Sequence, residues 1–148
     1  MIIRFFLYFF VSFILLKTAA GNDYKVEMFF TNQFKSLSFP NDYKFIDIDG
    51  KAVWKDSNGD YGNLQCYGRI VEDKKVGSNL DLFCKAKNQK SENFWFRMQR
   101  NSKEMDAGVG ITTYLYGDGK YKKFVDRKCK YASKIFDNNA IVNQKCSF

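Results

Sequence analysis

KCKYASKIFDNNAIVNQKCS, residues 128–147, reads as two strands folded back on one another. A disulfide between neighbouring antiparallel strands needs Cα atoms about 4.4–6.8 Å apart, a condition that directly opposed residues meet. With Cys129 facing Cys146, Phe136 faces Asn139 and the loop is Asp137-Asn138, two residues that tolerate the positive φ of a type I′ turn. Counting back from that turn makes Ile135/Ala140, Ser133/Val142, Tyr131/Gln144 and Cys129/Cys146 non-hydrogen-bonded pairs, where side chains approach most closely. Cysteine spacing and turn chemistry agree on a disulfide-clipped hairpin.

The same test applies to the other two cysteines. Cys66 opposite Cys84 places Leu64 with Ala86, Gly68 with Leu82 and Ile70 with Leu80, and the face they share is apolar, as a core face should be. The loop is then centred near Lys75 in Asp73-Lys74-Lys75-Val76-Gly77. Crossed pairings such as Cys66 with Cys129 leave both coincidences unexplained. Four zinc-ligating cysteines are the competing reading. However, no two of them have the two-to-four-residue spacing of structural zinc sites, and the chain has no histidine.

Beyond the hairpins, short alternating runs bounded by Gly, Asn and Asp recur, with no helical periodicity of useful length after Gly21. Candidate strands are Val26–Thr31, Tyr43–Ile48, Lys51–Lys55, Asn63–Val71, Asn79–Lys87, Phe94–Arg100, Gly110–Tyr116, Lys128–Phe136 and Ala140–Ser147. Asp49-Gly50 reads as a hairpin turn between two of them. The expected fold is all-β, a small antiparallel β-barrel of about eight strands, of calycin-like size, with two hairpin disulfides. Closure is favoured because it removes both exposed edges, and a β-sandwich is the runner-up.

The N-terminal residues read as a signal peptide, residues 1–20. Arg4 precedes an apolar or small stretch from Phe5 to Leu16, too short for a comfortable spanning helix, and Thr18 and Ala20 suit cleavage after Ala20. An uncleaved signal anchor is the alternative. Cleavage leaves residues 21–148 as a single domain without a transmembrane segment. It removes Arg4 and Lys17, lowering the net charge from +8 to +6. Export to a periplasm or the extracellular space fits an even cysteine count.

Gly108-Val109-Gly110, followed by Tyr114-Leu115-Tyr116-Gly117-Asp118-Gly119-Lys120-Tyr121, resembles the G-x-G, strand, G-x-G-K-Y segment of allene oxide cyclase-like and dirigent-like barrels. With Cys129-Lys130-Tyr131 it is also similar to small, uncharacterised exported bacterial proteins carrying a C-terminal Cys-x-Tyr. Lys122-Lys123-Phe124-Val125-Asp126 lacks the glycine that usually follows in the barrel families. The resemblance implies an eight-stranded antiparallel barrel with an apolar cavity. No cyclase or dirigent catalytic residue matches a position here.

The absence of histidine removes Ser-His-Asp and Cys-His catalysis, His-ligated metal sites and histidine proton shuttling. The cysteines are committed to disulfides, and most of the sixteen Asp and Glu sit beside turn residues or lysines, which reads as solvated surface. Asp56-Ser57-Asn58-Gly59-Asp60 opens like a calcium loop. It then has Tyr61 where the turn glycine belongs and Tyr67 where the closing Glu belongs, so a polar hairpin turn is expected. No metal or cofactor is called for.

Two clusters point to binding instead. Tyr67-x-Arg69, Phe83-x-Lys85 and Trp95-x-Arg97 repeat an aromatic-x-basic step, and strand period two puts each pair on one face, opposite the first disulfide. Such a stripe can stack on flat rings while neutralising an anionic polymer, or can simply support cross-strand packing and solubility. If that face turns inward, it lines a cavity. The second cluster is Lys120, Lys122, Lys123, Arg127, Lys128 and Lys130, a candidate anionic-partner patch or a solvated basic loop. The expected function is a non-catalytic binding module, its ligand in the barrel cavity or on the aromatic-basic face. Its partner would be an apolar small molecule or an anionic envelope polymer rather than nucleic acid, and a monomer is expected. A protein-directed inhibitor of an envelope hydrolase is the alternative, and an enzyme of cyclase or isomerase type comes third.

Overall fold

A computed structural model describes residues 23–147; the expected signal peptide lies outside them. Eight strands, β1 (Tyr24–Ser38), β2 (Tyr43–Asp56), β3 (Tyr61–Asp73), β4 (Gly77–Asn88), β5 (Asn93–Ser102), β6 (Ala107–Gly117), β7 (Lys128–Phe136) and β8 (Asn139–Cys146), follow one another up and down. Each pairs antiparallel with the next, and β1 pairs with β8, so the sheet closes into a barrel and the sandwich is excluded.

Both disulfides form as expected. Cys66 pairs directly with Cys84 in the β3–β4 ladder and bonds to it, with Cα atoms 4.0 Å apart. The β7–β8 register sets Tyr131 against Gln144 and Phe136 against Asn139, and the Cα atoms of Cys129 and Cys146 are 4.5 Å apart. Asp137 turns the chain with φ 51°, but Asn138 is not left-handed, so the turn is not type I′. Buried disulfides are compatible with export to an oxidising compartment. No helix among the described residues is long and apolar enough to cross a membrane.

Asp49-Gly50 is not a turn. Tyr43–Asp56 runs as one strand, and Gly50 sits in it facing Asn32 on one side and Cys66 on the other. A side chain there would point into the barrel, where a Cβ would come 2.6 Å from Asn32 Oδ1 and 3.3 Å from Phe30 Cδ1. The glycine serves close approach inside a strand, so tertiary packing overrides the local turn signal. The β1–β2 link is Pro40–Asp42, a short 3-10 turn with Asn41 and Asp42 at positive φ.

Within the closed wall of the barrel, inward residues alternate with outward ones along the strands. The interior holds Val26, Met28, Phe30, Ile46, Ile48 and Trp54 from the first two strands, then Ile70, Leu82, Phe96, Met98 and Val142 from later ones, all buried, together with both disulfides. A second 3-10 helix, Gly119–Phe124, closes the end where both described termini lie. Its Tyr121 stacks 4.3 Å from Phe94, and its Phe124 lies 4.6 Å from Tyr24, ring centre to ring centre. At the other end β1 outruns β8. Their pairing stops at Thr31–Asn139, while β1 and β2 remain paired as far as Ser38–Lys44.

Candidate functional site

The aromatic-basic face lies on the outside of the barrel. The β3–β4 register sets Tyr67 across from Phe83 and Arg69 across from Asp81, and the β4–β5 register continues Phe83 to Arg97 and Lys85 to Trp95. Tyr67 and Phe83 are 54% and 52% exposed, so two adjacent rings lie open to solvent. The basic partners hold defined positions. Arg97 donates twice to Asp81, Nε to Oδ1 and Nη2 to Oδ2 at 2.7 Å each, with its guanidinium 5.1 Å from the Phe83 ring. Those hydrogen bonds hold the Asp81 carboxyl below its ordinary value of 3.8, with burial opposing and the charges of Arg97 and Arg69 assisting. Lys85 places its ammonium 5.4 Å from the Trp95 ring, which meets Tyr116 edge-on at 5.2 Å.

Four of the six expected residues, Tyr67, Phe83, Lys85 and Trp95, share one outer groove of about 850 Å³, whereas Arg69 and Arg97 lie outside its lining. Its floor includes Ala52, Leu64, Cys84, Ala86 and Phe96, whose side chains are buried in the barrel, so these residues present backbone to the groove. Phe29, Lys51, Val53, Lys87 and Leu115 complete the apolar and basic lining. Leu115 is there because the β5–β6 register shifts between Trp95 and Phe96. The extra residue leaves both Leu115 and Tyr116 exposed. No carboxylate lines the groove, while Lys51, Lys85 and Lys87 do.

The added lysines and apolar residues had readable signals. Lys87 follows Lys85 at period two, and Lys51 and Val53 share an outward face with Asp49. Reading a turn at Asp49-Gly50 cut that face in half, which hid Lys51 and Val53 from the stripe.

The second basic cluster divides. Lys120 Nζ donates to Asp60 Oδ2, and Lys122 and Lys123 stand exposed on the 3-10 helix whose Tyr121 and Phe124 plug the barrel. Lys128 and Lys130 point outward from β7, and the Arg127 carbonyl accepts the Tyr114 amide. The loop at 56–60 is the expected polar hairpin turn. Asp56 Oδ1 accepts the Asn58 and Asp60 amides at 2.9 Å, and Gly59 takes φ 84°. Among the described residues, no three His, Cys, Asp or Glu side chains are grouped to hold a metal ion.

Inside the barrel a cavity of about 30 Å³ is lined by apolar side chains with Asn32, Tyr131 and Ser133. Sites for drug-sized ligands are about 300–1,000 Å³, so the outer groove falls in that range and the interior cavity does not. Compared with known protein families, with curated proteins and with solved structures, the chain finds no match in any of the three.

Proposed function

We propose that this chain is an exported, non-catalytic binding module that takes an anionic ligand with flat apolar faces into the outer groove of β1–β6. One observation carries the reading: a groove of about 850 Å³ gathers exposed aromatic rings and three lysines with no carboxylate in its lining. Stacking on Tyr67, Phe83 and Trp95 supplies contact area, and Lys51, Lys85 and Lys87 supply charge compensation. An anionic envelope polymer fits this chemistry better than an apolar small molecule, for which the interior cavity beside Tyr131 offers about 30 Å³.

Affinity electrophoresis through gels containing polygalacturonate, heparin or uncharged dextran tests it. At least one anionic polymer is expected to retard the protein, with retardation weakening as salt rises, and dextran is not. Trp95→Ala is expected to weaken that retardation about tenfold, the worth of one lost stacking contact. Unchanged mobility in both anionic gels, or equal retardation of the Trp95→Ala variant, overturns the reading.

The β1–β2 hairpin favours a second reading as a protein-directed inhibitor. Beyond the end of β8 it carries Leu37, Phe39 and Tyr43, 58%, 46% and 39% exposed, the kind of apolar tip that enters a cleft. Co-purification of a hydrolase that is lost with Leu37→Asp would favour it.

A further inference from the structure

Arg100 of β5 is only 3% exposed, inside the barrel, with no carboxylate partner within ion-pair distance among the described residues. Its Nη1 donates to Ser133 Oγ at 2.7 Å and its Nη2 to the Met105 carbonyl, but its Nε has no partner. Tyr131, 2% exposed and two positions from Ser133 on the interior face of β7, has an unpartnered hydroxyl. β6 makes room for both side chains through two glycines. A Cβ at Gly108 would stand 2.9 Å from Arg100 Cδ, and one at Gly110 2.5 Å from Tyr131 Cζ. The Gly108-x-Gly110 pair of the sequence therefore clears the space in which a guanidinium and a phenol lie on either side of β6. Tyr131 and Ser133, whose hydroxyl accepts from Arg100 Nη1, line an interior cavity of about 30 Å³, room for one small occupant, while Arg100 itself lies just outside that lining.

Guanidinium stays protonated in proteins, and burying it without a countercharge costs several kcal/mol. The acid closest in sequence to its Met105 contact, Asp106, is exposed on the β5–β6 turn, where its charge acts on Arg100 without forming an ion pair. Burial lowers the Arg100 pKa despite the opposing charge of Asp106, and it pushes the Tyr131 phenol up to about 12, keeping that hydroxyl a neutral donor. A water molecule would satisfy the free N–H and O–H without supplying charge, whereas an anion does both. We infer that Arg100 and Tyr131 form the seat of a small monovalent anion, chloride or a carboxylate of formate size, bound inside the barrel beside the β5–β6 turn. This seat is separate from the outer groove and does not depend on what the groove binds.

Urea unfolding of the oxidised protein at constant ionic strength, in sodium chloride, sodium formate or sodium gluconate, tests the seat. Chloride, formate or both are expected to raise the unfolding midpoint saturably, and which of them acts identifies the anion. At ten times its dissociation constant, the active anion raises the folded-to-unfolded ratio about elevenfold. Gluconate, too large for the cavity, is expected to do nothing. Arg100→Met, unbranched and uncharged, is expected to abolish the response. Should that variant not fold, Tyr131→Phe keeps the ring against Gly110, removes the donor, and is expected to weaken the apparent affinity about tenfold. Superposed curves in all three salts overturn the inference, as does a response undiminished in either variant.

Discussion

The carboxylate of Asp60 is 5% exposed, at the turn between β2 and β3, and accepts hydrogen bonds from Lys120 Nζ and, at 2.9 Å, from Gln89 Nε2. It thereby ties the 3-10 helix and the β4–β5 turn to the β2–β3 turn. Burial pushes its pKa up, but the hydrogen bonds from Lys120 and Gln89 and the charges of Lys120 and Lys90 together outweigh that and hold it below 3.8. A carboxyl depressed by folding contributes stability that is complete above its unfolded pKa and is lost as pH falls through its folded pKa. Asp60→Asn is therefore expected to lower stability at pH 7 by about 1–2 kcal/mol, discounted because Lys120 is partly exposed. The gap between variant and parent should close as pH drops below the ordinary carboxylate range, where the parent's acid also becomes neutral. Urea midpoints for both proteins between pH 7 and pH 2 check this, and a gap that stays constant across the range would assign the loss to shape rather than charge.

The 3-10 helix shows how one short element explains a dense run of lysines. Tyr121 and Phe124 fill the barrel mouth against Trp54, Phe94, Tyr24 and Tyr114, so the lysines between and beside them face solvent. Phe124→Ala is expected to cost about 3–5 kcal/mol, as removal of a buried ring does. Lys122→Ala with Lys123→Ala should cost less than about 0.5 kcal/mol. Denaturant unfolding of both variants separates a structural plug from a decorative loop, and a tolerated Phe124→Ala would mean the mouth is not sealed by this helix. The plug was not legible in advance, because a six-residue 3-10 helix has too few residues to display a period and its lysines read as a basic cluster. The β3–β4 and β7–β8 hairpins were legible, because in each a covalent constraint, an apolar face and a loop length had to agree. β1 was read only as Val26–Thr31, since its pairing with β8 ends at Thr31 and its last four residues, Lys35–Ser38, are all exposed and lose the alternation that burial imposes. Of the candidate site, the Tyr67, Phe83, Lys85 and Trp95 face could be read from period two, but the lack of carboxylates around it depends on which strands become neighbours.

At the scale of the whole molecule, the order of strands around the ring puts the β3–β4 and β7–β8 disulfides four strands apart, on opposite sides of the barrel. Each closes a short loop, the bonded cysteines standing 18 and 17 positions apart in sequence, so each removes a similar amount of unfolded-chain entropy, about 3 kcal/mol in the loop-closure treatment. Neither spans the β1–β8 seam that closes the ring. Closure rests instead on ladder pairing from Tyr24–Cys146 to Thr31–Asn139 and on the core behind it. Two consequences follow from that division. Replacing either cysteine pair by alanine should cost about 3 kcal/mol, and replacing both should cost their sum to within about 0.5 kcal/mol, because the two bonds close separate loops on opposite sides of the ring. The variants should also keep the native register, since the side-chain pattern that specifies it remains. Urea unfolding of the two single-pair variants and the combined variant measures the first. Amide hydrogen exchange along β1 and β8 measures the second. A combined cost well above the sum would mean that the two clips cooperate through the seam, and that the barrel is held closed by its disulfides rather than by its own strand pairing.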